Sequence, residues 1–366
     1  MCFTKIIRIR EQINHLKIKT QKIFKKCCQS LCRVLGFKKF MASINSKQMI
    51  TGKSFEYALL ITLEEKLKNK TNLKVIEDPA FDVAKSCFNN VSASEKSEYL
   101  LSASFAVNFL MDMEPRLSND IGKNDTLQLG ILPDFHGISG DVRDVLAVRS
   151  LQKWEIGFSA KNNHKAVKHS RLSSSIDFGD QWLGIKNSKE YFDTVKPIFD
   201  NLAKIRKDSE AKKKWSELGD YHSTVYVPIL KAFIKELKSL YKNNPQKVAS
   251  NLVAYLVGNK DFYKVIKSKN SVEIQAYNLK GTLNLPFQKI QPKYKTPQVP
   301  LPTEITSIDF KTDNNTTVIV TMNNDWTLSF RIHNASSRVE SSLKFDINLL
   351  KSPEKLFKNT LTISKD

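Results

Sequence analysis

GDVRDVLAVRS at 140–150 and WEIGFSAK at 154–161 are two apolar runs rich in Val, Leu, Ile and aromatic residues, joined by Ser150 to Lys153. Their composition suits strands, and so short a connection makes them an antiparallel hairpin. Gln128 to Leu132 reads as a further strand before them, with Pro133, Gly137 and Gly140 in the connection. Centring the hairpin turn near 151–152 puts Asp144 opposite Ser159 or Ala160. Strand alternation then sets Ser159 and Lys161 on one face, with Phe158 and Ala160 on the other. An acid at the start of one strand therefore stands beside a Lys on the next. A carboxylate there suits Mg²⁺, and the Lys can orient or activate water near a scissile phosphate. Hard oxygen-ligand chemistry of this kind suits phosphodiester hydrolysis.

Outward from the hairpin, the composition agrees with a polyanionic partner. The 366 residues carry 58 Lys plus Arg against 37 Asp plus Glu, a formal net charge of +21. Neutralising a phosphate releases condensed counterions, so such an excess favours nucleic acid. The excess is uneven: residues 1–40 hold eleven bases and one acid, leaving +11 for all the rest. This basic start, 1–44, reads as an extension separate from the fold. Four of the five Cys lie within it, with only His15 beside them, which is not a zinc-site spacing. The odd, small Cys count and the lack of a secretory leader point to a reducing compartment. No uncharged apolar run approaches the roughly 20 residues of a membrane span. Cys87 is expected to be a core thiol.

The first strong helical pattern follows. Phe55, Leu59, Leu63 and Leu67 recur at four-residue spacing, widened by Ala58 and Leu60. Ser54 is a plausible N-cap and Gly52 an entry turn. The Gly52-Lys53-Ser54 string is not a phosphate-binding loop, because Lys47 stands where that loop needs its first Gly. Glu56 leans toward the buried face, where carboxylates rarely go without a partner or a metal; taken by itself it reads more simply as a solvated edge position.

These residues bring the chain to a resemblance. An Asp opening one strand and an x-K pair ending its hairpin partner resembles the PD-(D/E)xK nuclease core. GDVRDVLAVRS and WEIGFSAKNNHKAVKHSRLS (154–173), with GKSFEYALL (52–60), DFGDQW (177–182), YLVGNKDFYKVI (255–266) and FRIHNASSRVESSLKFDI (330–347), resemble the HaeIII-type restriction endonuclease family. The resemblance covers roughly 45 to 350. It implies an α/β fold, a mixed sheet flanked by helices with a β-rich C-terminal region. It also implies a Mg²⁺-dependent type II endonuclease that cuts double-stranded DNA at GGCC, with a cognate methyltransferase protecting the host and a homodimer on the palindrome. One departure stands out: Ser159 occupies the position of the second acid. Glu155 is about 13 Å back along its strand, too far to share a cation with Asp144. In the wider nuclease fold the opening helix often donates an acid, so Glu56 is the expected second ligand. Asp141 is the alternative to Asp144.

The rest of the chain divides as a nuclease core with helical insertions at 45–285, a Pro-rich arm at 286–302 and a β-rich recognition part at 303–366. Residues 225–241 read as a helix and Lys204 to Lys214 as a mixed-charge one. Strands are expected at 305–310, 316–322, 326–332 and 343–347, with Asn323-Asn324-Asp325 as a hairpin turn. Asn163 and His164, directly after Lys161, either touch phosphate or do ordinary hydrogen-bonding duty. Arg331 can contact guanine, with His333 and Asn334 as further polar readers; equally, these residues hold their hairpin together. The competing functions are a repair or junction nuclease of the same fold and a non-catalytic basic protein binding DNA or a membrane surface.

Overall fold

The computed structural model describes residues 47–119, 125–163, 167–208 and 213–363. The basic extension at 1–44 and His164 lie outside the described residues. Helix α1 (Lys47–Leu67) begins two turns before Ser54, so the expected N-cap and Gly52 are interior helical positions. Its apolar stripe is the one the spacing predicts: Phe55, Ala58, Leu59, Leu60, Leu63 and Leu67 are buried, and so is Glu56. Helix α2 (Pro79–Asn89) is capped by Asp78, whose carboxylate accepts the Ala80 and Phe81 N–H groups. Helix α3 (Ala93–Met113) starts with a reciprocal Ser92–Glu95 capping box.

These helices share a core with one face of a mixed, seven-stranded sheet. Its order is β1 (Leu73–Val75), β2 (Leu127–Ile131), β3 (Val145–Arg149), β4 (Trp154–Asn162), β6 (Phe262–Lys267), β7 (Ser271–Tyr277) and β12 (Phe357–Thr362). β1 with β2 and β4 with β6 are parallel, the other pairs antiparallel. Leu129, Ala147, Phe158, Ala160, Tyr263, Val265 and Ile274 fill this core. Alternation turns Ser159, Lys161 and Lys264 to the opposite face. At the far end of β3 the fully buried Arg149 donates to Asp125 (2.9 Å), Thr71 (3.0 Å) and the Arg116 carbonyl (2.8 Å), tying the connections around β2 together.

A second sheet is antiparallel and five-stranded: β5 (Arg171–Ser173), β11 (Ser342–Lys351), β10 (Thr327–His333), β9 (Asn314–Met322) and β8 (Ile305–Lys311). Asn324 and Asp325 take positive φ (56° and 63°) in the β9–β10 turn, as their residue types allow. Helices α4 (Lys189–Asp208), α5 (Val227–Asn243) and α6 (Pro245–Val257) share this sheet's core, around Phe178, Trp182, Phe233, Phe330 and Phe345. Two of the helices expected as insertions of the nuclease core, α4 and α5, thus pack on the second sheet, and α6 packs against α5. β12, from the expected recognition part, instead returns to the first. Sequence order alone could not show either, because long-range pairing and not proximity along the chain assigned them. The stretch 286–302 has no strand; Asn278, Asn284 and Trp326 hold it through Thr296 and the Pro300 carbonyl. Gly52–Asp366 forms one compact unit. No helix among the described residues is long and apolar enough to cross a membrane.

Candidate active site

The β3–β4 register pairs Val145 with Phe158, so Asp144 falls opposite Ser159. Three donors converge on one oxygen of Asp144, Oδ2: the Ala160 N–H at 2.8 Å, the Lys161 ammonium at 2.9 Å and the Ser159 hydroxyl at 3.2 Å. Ser159, which cannot ligate as an acid, instead fixes the acid on the neighbouring strand. Lys161 and Asp144 stay partly open, at 26% and 19% side-chain exposure, enough to meet a substrate.

Glu56, on α1, lies near enough to feel the charges of Asp144 and Lys161. Burial, opposed by the Lys53 ammonium and reinforced by the negative charge of Asp144, pushes its carboxyl up to about 7. Its ion pair is Lys53, at 2.9 Å one helical turn earlier, and Lys53 also binds Asp134 at 2.5 Å. Burial opposes the Lys53 charge, but Glu56 and Asp134 outweigh it and raise its pKa. The two site carboxylates are thus each held by a lysine of their own. Neither Lys53 nor Asp134 was expected from the sequence. The signal was present, since a buried Glu56 needs a cation and Lys53 lies at i−3 on the same helix face.

The other acids of the hairpin are committed elsewhere. Arg143 lies so closely over Gly157 that a Cβ there would sit 2.1 Å from its Cδ. It binds Asp141 through Nε (2.8 Å) and Nη2 (2.7 Å), and reaches Glu155 at 3.2 Å. Burial raises the Asp141 pKa, but the Arg143 bonds and charge win and hold it below the usual range. Lys260 adds a second partner to Glu155 at 3.1 Å.

A family model, described as HaeIII restriction endonuclease, matches residues 52–353. The chain belongs to that family. It is 39% identical over 312 residues to the type II restriction enzyme HaeIII of Haemophilus aegyptius, covering 85% of this chain and 96% of that one. No solved structure matches. The protein is therefore a type II site-specific deoxyribonuclease, and its substrate class is double-stranded DNA. In this enzyme Asp144 and Lys161 stand 2.9 Å apart on neighbouring strands.

Other positions of this restriction endonuclease divide between open and occupied groups. Among the described residues no set of three or more His, Cys, Asp or Glu is placed to hold a metal ion. Two carboxylates do suit Mg²⁺, which keeps several waters and binds through one or two acids plus substrate phosphate. Asn163 has a left-handed backbone (φ 53°) and donates its N–H to the Lys267 carbonyl at 2.8 Å, closing the end of β4 onto β6. Arg331 is 57% exposed and pairs with Asp346 at 3.0 Å. Asn334 is occupied by Tyr226, whose hydroxyl donates to its side-chain oxygen and accepts its N–H, both at 3.0 Å. His333 Nδ1 lies 2.8 Å from the Asn334 carbonyl. Lys264 is a further group that sequence reading missed: it pairs with Ser159 across β4 and β6 and is 5% exposed. Burial and the nearby Lys161 push its pKa down to about 8. Cys87 is a buried thiol, as expected.

Proposed function

We propose that this endonuclease cuts DNA at a short palindromic site, GGCC, with Mg²⁺ as its cofactor, and that Glu56 and Asp144 hold the ion. The observation that supports the reading is that Glu56, from α1, feels the charges of both Asp144 and Lys161. Each carboxylate is buried or half-buried and each is ion-paired to a lysine. When bound, the ion supplies neutralising charge at the scissile phosphate and a more acidic water. Lys161 orients that water and faces the developing phosphate charge. Ser159 and the Ala160 N–H keep Asp144 turned toward the site. Lys53 keeps Glu56 in register with it and joins the turn at Asp134 to the site. Asp141 is the less favoured ligand, because both its oxygens serve Arg143.

Arg331, exposed at the centre of β10, is the group assigned to guanine; His333 and Asn334 act with it through the shape of the strand end. Asn163 and His164 are assigned to the phosphates beyond Lys161. A palindromic target favours two copies related by a two-fold axis, and host DNA carrying the site requires a cognate methyltransferase. In the bacterial cytoplasm both would meet the same DNA. Digestion of plasmid DNA with Mg²⁺, and in parallel with EDTA, followed by sequencing of the ends, tests the reading. Discrete fragments ending within GGCC, only with Mg²⁺, are expected. Fragments with random ends, or cutting undiminished in EDTA, would overturn it.

A further inference from the structure

The outer face of the second sheet gathers basic side chains by register. Arg171 of β5 pairs with Lys344 of β11, and Lys344 pairs in turn with His333 of β10. Two residues further along β11, Asp346 stands opposite Arg331. The chain before β5 continues the pairing, because the Phe345 and Ile347 N–H groups donate to the Ser170 and Lys168 carbonyls at 2.7 and 3.2 Å. His169 therefore lies beside Asp346, with Nδ1 3.6 Å from Oδ1. Cross-strand partners share a face, and the alternate residues Leu343, Phe345 and Ile347 fill the core beneath. Arg171, His169, Lys344, Arg331 and His333 thus surround one carboxylate.

That carboxylate is shared out at one end of the group. Asp346 holds Arg331 through Oδ2 at 3.0 Å and faces His169 with Oδ1. At the other end Arg171 and Lys344 stand directly opposite one another, and like charges so placed destabilise a sheet. Arg171 is exposed and donates to Ser342, a neutral acceptor, at 2.8 Å. Lys344 is half-buried, and burial is the first cause that holds its pKa below the usual lysine range. The Arg171 charge comes next; Asp346 and Glu340 oppose it, each more weakly than Arg171 acts. Chain length ties this end to the active site. Ten residues separate Lys161 from Arg171, both within one compact unit, so they lie at most about 35 Å apart. One turn of duplex DNA is about as long.

We infer that Arg171 and Lys344 bind backbone phosphates of the DNA substrate, so that the outer face of β5 and β11 holds the duplex within a turn of the cut. A phosphate laid across two opposed cations offsets their repulsion and carries no base preference. The inference rests on the nuclease reading of Asp144 and Lys161 for its distance from the cut. It needs neither Mg²⁺ nor GGCC.

The test uses the full chain and two short duplexes, one with GGCC and one scrambled, in EDTA so that neither is cut. Binding is measured against salt concentration. Each lost phosphate contact lowers the slope of log K against log salt by about 0.9. Arg171→Ala and Lys344→Ala are each expected to lower it by that amount on both duplexes. Lys189→Ala, on α4 and 87% exposed, is the control and should keep the wild-type slope. Wild-type slopes in both folded variants would overturn the inference. So would an equal fall in Lys189→Ala, which would make the effect one of total charge, or a fall confined to the GGCC duplex, which would put these residues on base edges. Arg171 is exposed, so its variant carries the test if Lys344→Ala melts early. A wild type that binds these duplexes yet cuts neither in Mg²⁺ removes the nuclease reading instead, and the slopes still decide the phosphate contacts.

Discussion

The two sheets place their charges differently. The second sheet and α4 to α6 bury an aromatic cluster, Phe178, Trp182, Phe233, Phe330 and Phe345, with one buried carboxylate, Glu236 on α5, held by Ser188, and keep Arg331 with Asp346 on the outer face. The first sheet has an equally apolar core against α1 to α3, but around and beside it lie Lys53, Glu56, Glu114, Arg149 and Lys264, all buried. Burying ionisable groups costs several kcal/mol each unless they are paired, and packed aromatics carry no such cost. The region with the fewer buried charges is thus separate from the region to which we assign the chemistry.

The sharpest break of that contrast is in the first sheet. Asp144→Asn and Lys161→Met should each lower cleavage by roughly 10²- to 10⁴-fold, with melting curves close to wild type; a cleavage assay with both variants at equal folded concentration checks this. Next in size is the choice between the acids. Glu56→Gln should reduce cleavage severely across a Mg²⁺ titration, whereas Glu155→Gln, 41% exposed and paired at the surface, should change it by less than about fivefold. A dead Glu155→Gln beside an active Glu56→Gln would move the second ligand onto the hairpin.

The second sheet should respond in the opposite sense. Phe233→Ala, in its aromatic cluster, should cost about 3–5 kcal/mol of stability while the surviving folded fraction cuts at the normal rate. Urea titration paired with specific activity separates the two effects.

Glu114 sharpens the contrast through pH. Its carboxylate, 1% exposed, accepts the Tyr263 hydroxyl and the Asn284 N–H, both at 2.6 Å. Burial nonetheless pushes its pKa from 4.5 up to about 7. The folded state therefore holds this proton where the unfolded chain has lost it, and stability falls as pH rises from about 4.5 to 7. A shift of that size corresponds to about 3 kcal/mol over the window. Glu114→Gln should make the stability–pH profile shallower there, leaving the part due to Glu56; chemical denaturation at several pH values measures it. The smallest effect is expected at Arg331. Arg331→Ala should weaken binding to GGCC DNA by roughly 1–3 kcal/mol and random DNA less. Equal loss on both would make Arg331 a phosphate contact.

The local pieces were legible in the chain. The stripe of α1, the 144–161 hairpin with Asp144 opposite Ser159 or Ala160, the lean of Glu56 toward the buried face and the strands β8 to β11 all follow from periodicity and turn length, which act over a few residues. The start of α1 did not follow, because a favourable cap at Ser54 is worth only about 1 kcal/mol and the helix simply continues through it. The partners of Glu56 and Asp141 were half legible: both cations, Lys53 and Arg143, lie within three residues.

By itself, the sequence determined the apolar stripe of α1, the β3–β4 hairpin, the strands β8 to β11, and the family to which the chain belongs. Only the tertiary structure decided that β12 closes the first sheet, that α4 and α5 pack on the second, and that Asp134 reaches Lys53 from 81 residues away. It alone set Arg171, Lys344 and His333 in one row. The physical reason is range. Propensity and alternation are properties of neighbours along the chain, whereas strand pairing and the partner of a buried charge are settled by whichever distant segments desolvate each other at least cost.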